Sequence, residues 1–167
     1  MNIRPATGDD FAAIKAVARE AWHDTYDELD EALIDRTVDA WYTDDTMPLE
    51  APGTVVLVVE ESDLADETAG TNDIVGFTHA VAQGETADIL RMYVVPAAQG
   101  QGIGTTLHER LLVELEAHDV EGVRAFDFAF NDVSRRFYES MGFEQTDTGE
   151  VEIEGEHYDE AVYATEL

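Results

Sequence analysis

The sequence predicts an α/β domain with a mixed central sheet of about seven strands and four helices. Three observations predict it. Strand-like and helix-like segments follow one another in the order β-α-α-β-β-β-α-β-α-β-β. A buried-strand pattern runs straight into a glycine loop and then a helix at Gln99–Thr105. Finally, 167 residues with 44% hydrophobic content suit one domain, residues 1–167, with a sizeable core and no internal repeat or long linker.

Each element has its own signal. Asn2–Pro5 reads as a short first strand, and Thr7 with Asp10 three residues later fits a helix cap. Phe11, Ile14, Val17, Ala18, Ala21 and Trp22 then recur at helical spacing, as do Leu33, Ile34, Val38 and Trp41 within a second helix over about Asp30–Tyr42. Met47–Gly53 breaks the chain with Pro48, Pro52 and Gly53. Thr54–Glu60 is β-branched and strand-like, and the polar, acidic Ser62–Asp73 is expected as an exposed hairpin loop. Ile74–Gln83 and Thr86–Val95 make two further strands joined by Gly84-Glu85. Beyond the glycine loop, Ile103, Leu107, Leu111, Leu112 and Leu115 form the stripe of a helix beginning near Thr105 and reaching about His118. Val123–Phe130 returns as a strand and Val133–Ser140 as a short helix. Phe143–Ile153 and His157–Thr165 close the chain as two strands joined near Gly155.

Charge bounds the partners. There are 38 acidic residues against 9 basic ones, a net charge of −29, and Lys15 is the sole lysine. A dispersed acidic surface of this kind fits adaptation to concentrated salt; the alternative is attraction of a cationic acceptor, which needs only a local patch. Nucleic acid is not an expected partner, because binding it relies on Lys and Arg neutralising phosphates. Cysteine is absent, which removes disulfides, a thiolate nucleophile and cysteine metal sites; no metal is expected. No apolar stretch approaches the ~20 residues that span a bilayer, and the N-terminus has no signal-peptide pattern, so a soluble cytoplasmic protein without a membrane partner is expected.

The segment Gln99-Gly100-Gln101-Gly102-Ile103-Gly104 outlines an anion cradle, since glycines let consecutive backbone N–H groups converge at a helix N-terminus. A P-loop needs a lysine and then Ser or Thr after its last glycine, whereas Thr105-Thr106 follow here. The dinucleotide fingerprint needs a different final spacing and an early position in the chain. A ligand-free glycine turn is the remaining alternative.

The flanking residues carry a family resemblance. Val94-Val95-Pro96-Ala97-Ala98-Gln99-Gly100-Gln101-Gly102-Ile103-Gly104 resembles the acetyl-CoA loop of the GNAT superfamily of N-acetyltransferases. Asn131, Ser134, Phe137, Tyr138, Gly142 and Phe143 resemble its second signature, and Ile3-Arg4-Pro5-Ala6-Thr7 resembles a common opening. The resemblance implies the GNAT fold, in which the strands flanking the glycine-loop helix splay apart to receive the pantetheine arm. It implies acetyl transfer from acetyl-CoA to a small-molecule or peptide amine by direct attack in a ternary complex, and it admits a homodimer. A GNAT-fold module that binds acyl-CoA without turnover is the rival, because fold alone does not establish activity.

Roles follow on the same footing. Gln99, Gly100, Gln101, Gly102, Ile103, Gly104 and Thr105 would bind the pyrophosphate through main-chain amides. The N–H groups of Val94 and Val95 would meet the pantetheine or the developing oxyanion, because Pro96 stops regular strand pairing. Asn131 would hold the pantetheine arm or cap a helix; both roles can coexist. Tyr138 is the candidate general acid, a phenol of pKa about 10 set against a thiol of about 8.5; its alternative is a core aromatic. Glu85, Asp88 and His79 are the general-base candidates, each with a solvated-carboxylate or core-histidine alternative. Trp22, Tyr26, Trp41 and Tyr42 would wall the acceptor pocket or anchor the core. Arg135 and Arg136 would meet a CoA phosphate or pair with nearby acids.

Overall fold

The computed structural model describes residues 2–26, 29–61 and 73–167. Strands β1 (Asn2–Pro5), β2 (Thr54–Glu61), β3 (Asp73–Gln83), β4 (Thr86–Val94), β5 (Gly122–Phe128), β6 (Glu144–Ile153) and β7 (Glu156–Glu166) form one sheet in the order β1-β2-β3-β4-β5-β7-β6. Helices α1 (Phe11–Thr25), α2 (Glu31–Trp41), α3 (Ile103–Glu116) and α4 (Asp132–Ser140) complete the element order expected from the sequence. Asp73 opens β3, while the rest of the expected Ser62–Asp73 loop lies outside the described residues. No helix among the described residues is long and apolar enough to cross a membrane.

The period of two along β2 builds both faces of the core. Val55, Leu57 and Val59 join Ile103, Leu107, Leu111 and Leu115 of α3, whereas Val56 and Val58 join Ile14, Val17, Trp22, Ile34 and Val38 of α1 and α2. Several boundaries move by one or two residues from the sequence reading, and two of them have a clear local reason. Helix α3 starts at Ile103 because Gly102, at φ +80°, supplies the left-handed N-cap. Strand β5 stops at Phe128 because Asn131 N–H turns back to Phe128 O and the Asn131 side chain caps α4.

All neighbouring strands are antiparallel except β4 and β5, which run parallel and pair only over Thr86–Ile89 and Gly122–Ala125. Beyond that point β4 stays on β3 to Val94, and β5 stays on β7 to Phe128. The cause is visible in the register: Ala80 faces Ile89 and His79 faces Arg91, so Leu90 is an extra residue in β4. Such a bulge bends its strand, and here it does so where pairing with β5 ends. The sheet therefore opens into a V with one helix pair on each face.

Candidate active site

Two clefts meet at the V. The first, about 330 Å³, is lined by Met92, Tyr93 and Val94 of β4, by the glycine loop, by Asn131, Ser134, Phe137 and Tyr138, and by Ala21 and Thr25 of α1. The second, about 520 Å³, is lined by Trp22, Trp41, Tyr42, Leu90, Arg91 and Tyr93 on one side and Phe126, Asp127, Phe128 and Glu160 on the other. Tyr93 belongs to both walls.

The glycine loop presents donors. Gly100 and Gly102 take φ values of +79° and +80°, and no hydrogen bond is made by the N–H groups of Gly100 to Thr105 among the described residues. The last three belong to the first turn of α3, whose amides have no partner within the helix and carry the positive end of its dipole. Gln99 acts differently from its loop neighbours: its side-chain amide donates to Val94 O at 3.0 Å and fastens the loop to β4. The two valine amides also divide. Val95 N–H donates to Val75 O at 2.9 Å and is spent on β3. By strand alternation Val94 N–H then points to the open side of β4.

Asn131 is 4% exposed and its side chain is fully engaged. Its Oδ1 accepts from Ser134 N–H at 3.1 Å, and its Nδ2 donates to Tyr26 Oη, Ser134 Oγ and Asp127 Oδ2 at 3.1, 3.0 and 3.2 Å. Capping is thus its observed role, with the amide holding the floor of the V together. Tyr138, also buried, stacks on Tyr163 at 5.6 Å between ring centroids and lines the first cleft. Burial raises its phenol above the ordinary value, with the charges of Asp127 and Tyr163 adding to the rise.

The three base candidates are not brought together. Glu85 is exposed in the β3–β4 turn and lines neither cleft. Asp88 reaches the rim of the second cleft, where Arg124 holds it in a two-pronged pair at 2.9 and 3.0 Å. His79 is buried on β3 and lines neither cleft, and its ring nitrogens make no hydrogen bond among the described residues; burial, then the charge of Arg91, lowers it to about 4. Arg135 pairs with Asp132 at 3.3 Å. The expected wall residues of α1 and α2 do converge: Trp22, Trp41 and Tyr42 line the second cleft, and Tyr26 lies beneath it as a hydrogen-bond hub.

Sequence reasoning missed the centre of that hub, Asp127. Its Oδ1 accepts from Tyr26 Oη at 2.9 Å and Phe128 N–H at 2.8 Å, and its Oδ2 from Ser134 Oγ at 2.5 Å and Asn131 Nδ2. Burial raises its carboxyl above the usual range although those donors pull the other way. Tyr26 and Tyr93 hydroxyls lie 3.1 Å apart, which continues the chain to the meeting point of the clefts. Asp127 and Arg91 were legible as charges inside apolar strands, Phe126-Asp127-Phe128 and Ile89–Val95, but nothing in either run says which way the side chain faces.

Solved structures share this architecture. The PaiA N-acetyltransferase of Thermoplasma acidophilum, in complex with coenzyme A, superposes with a TM-score of 0.80 at 21% identity, covering 99% of this chain and 98% of that one. The ribosomal-protein-alanine N-acetyltransferase of Brucella melitensis gives 0.67 at 23% identity over 100% of both chains. The ribosomal-protein-S18-alanine N-acetyltransferase of Escherichia coli gives 0.69 at 17%, covering 99% of this chain and 92% of that one. At these identities the likeness establishes the fold. No curated protein sequence matches the chain. The sequence profile of the acetyltransferase (GNAT) domain matches residues 52–145, more than half of the chain, and that stretch holds β2 to α4 with the glycine loop and the V; the protein belongs to the GNAT acetyltransferase family.

Proposed function

We propose that this protein transfers an acetyl group from acetyl-CoA to a primary amine, by direct attack within a ternary complex. One observation carries this: the opening of β4 from β5 joins a cleft bearing six unpaired amides to an aromatic cleft bearing carboxylates, with Tyr93 in both walls. The amides of Gly100 to Thr105 fit a pyrophosphate without needing lysine, and Val94 N–H is the open-edge donor for a pantetheine arm or an oxyanion. Acetyl-CoA supplies the activated acyl group.

The residues divide the proton work. An acceptor ammonium must lose a proton before it can attack. Tyr93, Tyr26 and Asp127 form a chain along which the ammonium proton passes to Tyr93, the Tyr93 proton to Tyr26 and the Tyr26 proton to the Asp127 carboxylate. Concerted shifts leave neither phenol charged, and the raised affinity of Asp127 for a proton favours the end state. Tyr138 faces the leaving side. A buried phenol raised above its usual pKa stabilises a nascent thiolate first by hydrogen bonding, and the proton lost from the amide nitrogen replaces any that Tyr138 gives up. Asp88 is held by Arg124, and Glu85 and His79 line neither cleft, which supports this route over those three candidates.

The dispersed acidic surface belongs to the same proposal as adaptation of a cytoplasmic protein to concentrated salt, and binding is therefore best measured there. Calorimetric titration with acetyl-CoA at ~1 M salt, where the Debye length is about 3 Å, should show binding. Thiol release should follow with members of an amine panel, and Tyr138→Phe should lower kcat by about 10²–10⁴-fold with acetyl-CoA affinity retained. Folded protein that binds no acetyl-CoA would overturn the proposal.

A further inference from the structure

The second cleft holds a cation that the fold does not neutralise. Of the eight arginines, Arg4, Arg19, Arg36, Arg110, Arg124 and Arg135 each face a carboxylate within 3.3 Å. Arg136 is exposed. Arg91 alone is largely buried and yet meets no carboxylate among the described residues, in a chain with 38 acidic side chains. Burial pulls its pKa down, which is the signature of a cation kept at a cost. Its contacts are the Trp41 carbonyl at the end of α2, which accepts from Nη1, and the face of Tyr42, 4.5 Å from the guanidinium carbon. A strut between β4 and α2 accounts for one of five N–H donors; the rest have no partner among the described residues.

The opposite wall has the opposite sign. Asp127 and Glu160 stand on paired strands, with Phe128 facing Glu160 in the register, and both line the cleft. Burial first, then the charge of Asp127, raises the Glu160 carboxyl. One wall of the cleft, β4 with the end of α2, thus carries a planar fork of donors over an aromatic face, its one rim carboxylate, Asp88, being paired with Arg124, and the other, β5 with β7, carries carboxylates. A simple cation would find Arg91 against it. A zwitterion fits both walls.

We propose that Arg91 is the anion anchor of the acceptor cleft and that the acceptor is an amino carboxylate: its carboxylate takes the guanidinium fork and its ammonium lies toward Asp127, Glu160 and Tyr93. The proposal rests on the acetyl-transfer function proposed above and names its acceptor class. An Arg fork binds a carboxylate through two parallel N–H···O bonds, and the half-buried site strengthens them. A cleft of about 520 Å³ has room for an amino acid with a side chain.

The test compares an amino acid with its amide, which keeps the amine and removes the negative charge, and with the matching aminoalkyl phosphonate. Wild-type kcat/KM should favour the amino acid over the amide by at least about tenfold, chiefly in KM. Arg91→Gln, which retains a donor for the Trp41 carbonyl, should collapse that ratio while acetyl-CoA titration and circular dichroism stay unchanged; Arg91→Lys should restore part of it. Trp22 and Trp41 are the chain's two tryptophans and both line the cleft, so their fluorescence should respond to the amino acid and not to the amide, even with no turnover. A wild-type ratio near one, a ratio that survives Arg91→Gln, or a preference for the phosphonate overturns the proposal. Folded protein that binds no acetyl-CoA overturns the transfer function instead, and the fluorescence titration then judges Arg91 by itself.

Discussion

Replacing Tyr26 by Phe removes one oxygen from the hub of the V. That hydroxyl is fully buried; it donates to Asp127 at 2.9 Å and lies 3.1 Å from both Tyr93 Oη and Asn131 Nδ2. Phe leaves no cavity of consequence, so the loss is polar. The bond to the carboxylate contributes about 1.5–3 kcal/mol and a neutral one about 0.5–1.5 kcal/mol. Asn131 keeps Ser134 and Asp127 as acceptors, so one charge-assisted and one neutral bond are lost, about 2–4.5 kcal/mol in all. With a urea slope of about 2 kcal/mol per M, the midpoint at fixed high salt should fall by about 1–2 M. The same change interrupts the path from Tyr93 to Asp127. The rising limb of the pH–kcat profile should therefore move to higher pH, because the amine must arrive already deprotonated, while acetyl-CoA affinity holds. A stability loss under about 0.5 kcal/mol together with an unmoved pH profile would refute the reasoning on both counts.

Two further predictions concern the glycine loop and the buried histidines. Gly102→Ala puts a Cβ at φ +80° in open space, so stability should fall by only about 1–2 kcal/mol, yet acetyl-CoA affinity measured by calorimetry should fall at least tenfold as the left-handed turn that aims the loop amides is disfavoured; Gly155→Ala, at φ +87° in the β6–β7 turn, should match the stability cost and leave affinity intact. His108 is buried among Phe137, Tyr138 and Phe143, its ring nitrogens have no hydrogen-bond partner among the described residues, and burial lowers it to about 4. Its unfolded form takes up a proton near 6.5 and its folded form resists, so this group's stabilisation is lost as pH falls through that window. Urea midpoints should show the wild type losing about 2 kcal/mol more than His108→Phe between pH 7 and pH 5. Equal losses would show that His108 is solvated.

Much of the fold was legible because the chain repeats its signals. The Val55, Leu57, Val59 alternation and the Ile103, Leu107, Leu111, Leu115 stripe each place a face of the core without reference to any distant residue. The limits came where a distant partner decides. Val94 and Val95 look alike in sequence, yet the β3 register gives one amide to Val75 and turns the other outward. Asp88 reads as a lone carboxylate in the sequence, yet Arg124, thirty-six positions away, stands beside it in the fold.

By itself, then, the sequence determined the element order, the glycine loop and its position at the head of a helix, since turn chemistry and hydrophobic period are local properties. Only the tertiary structure decided how the site is wired. The extra residue at Leu90 bends β4 from β5, and in that opening Asp127, Tyr26 and Tyr93 become neighbours across more than a hundred positions, while Arg91 is left on the cleft wall with no carboxylate paired to it among the described residues. Burial and pairing are set by what lies across space, and a linear chain records that only after it has folded.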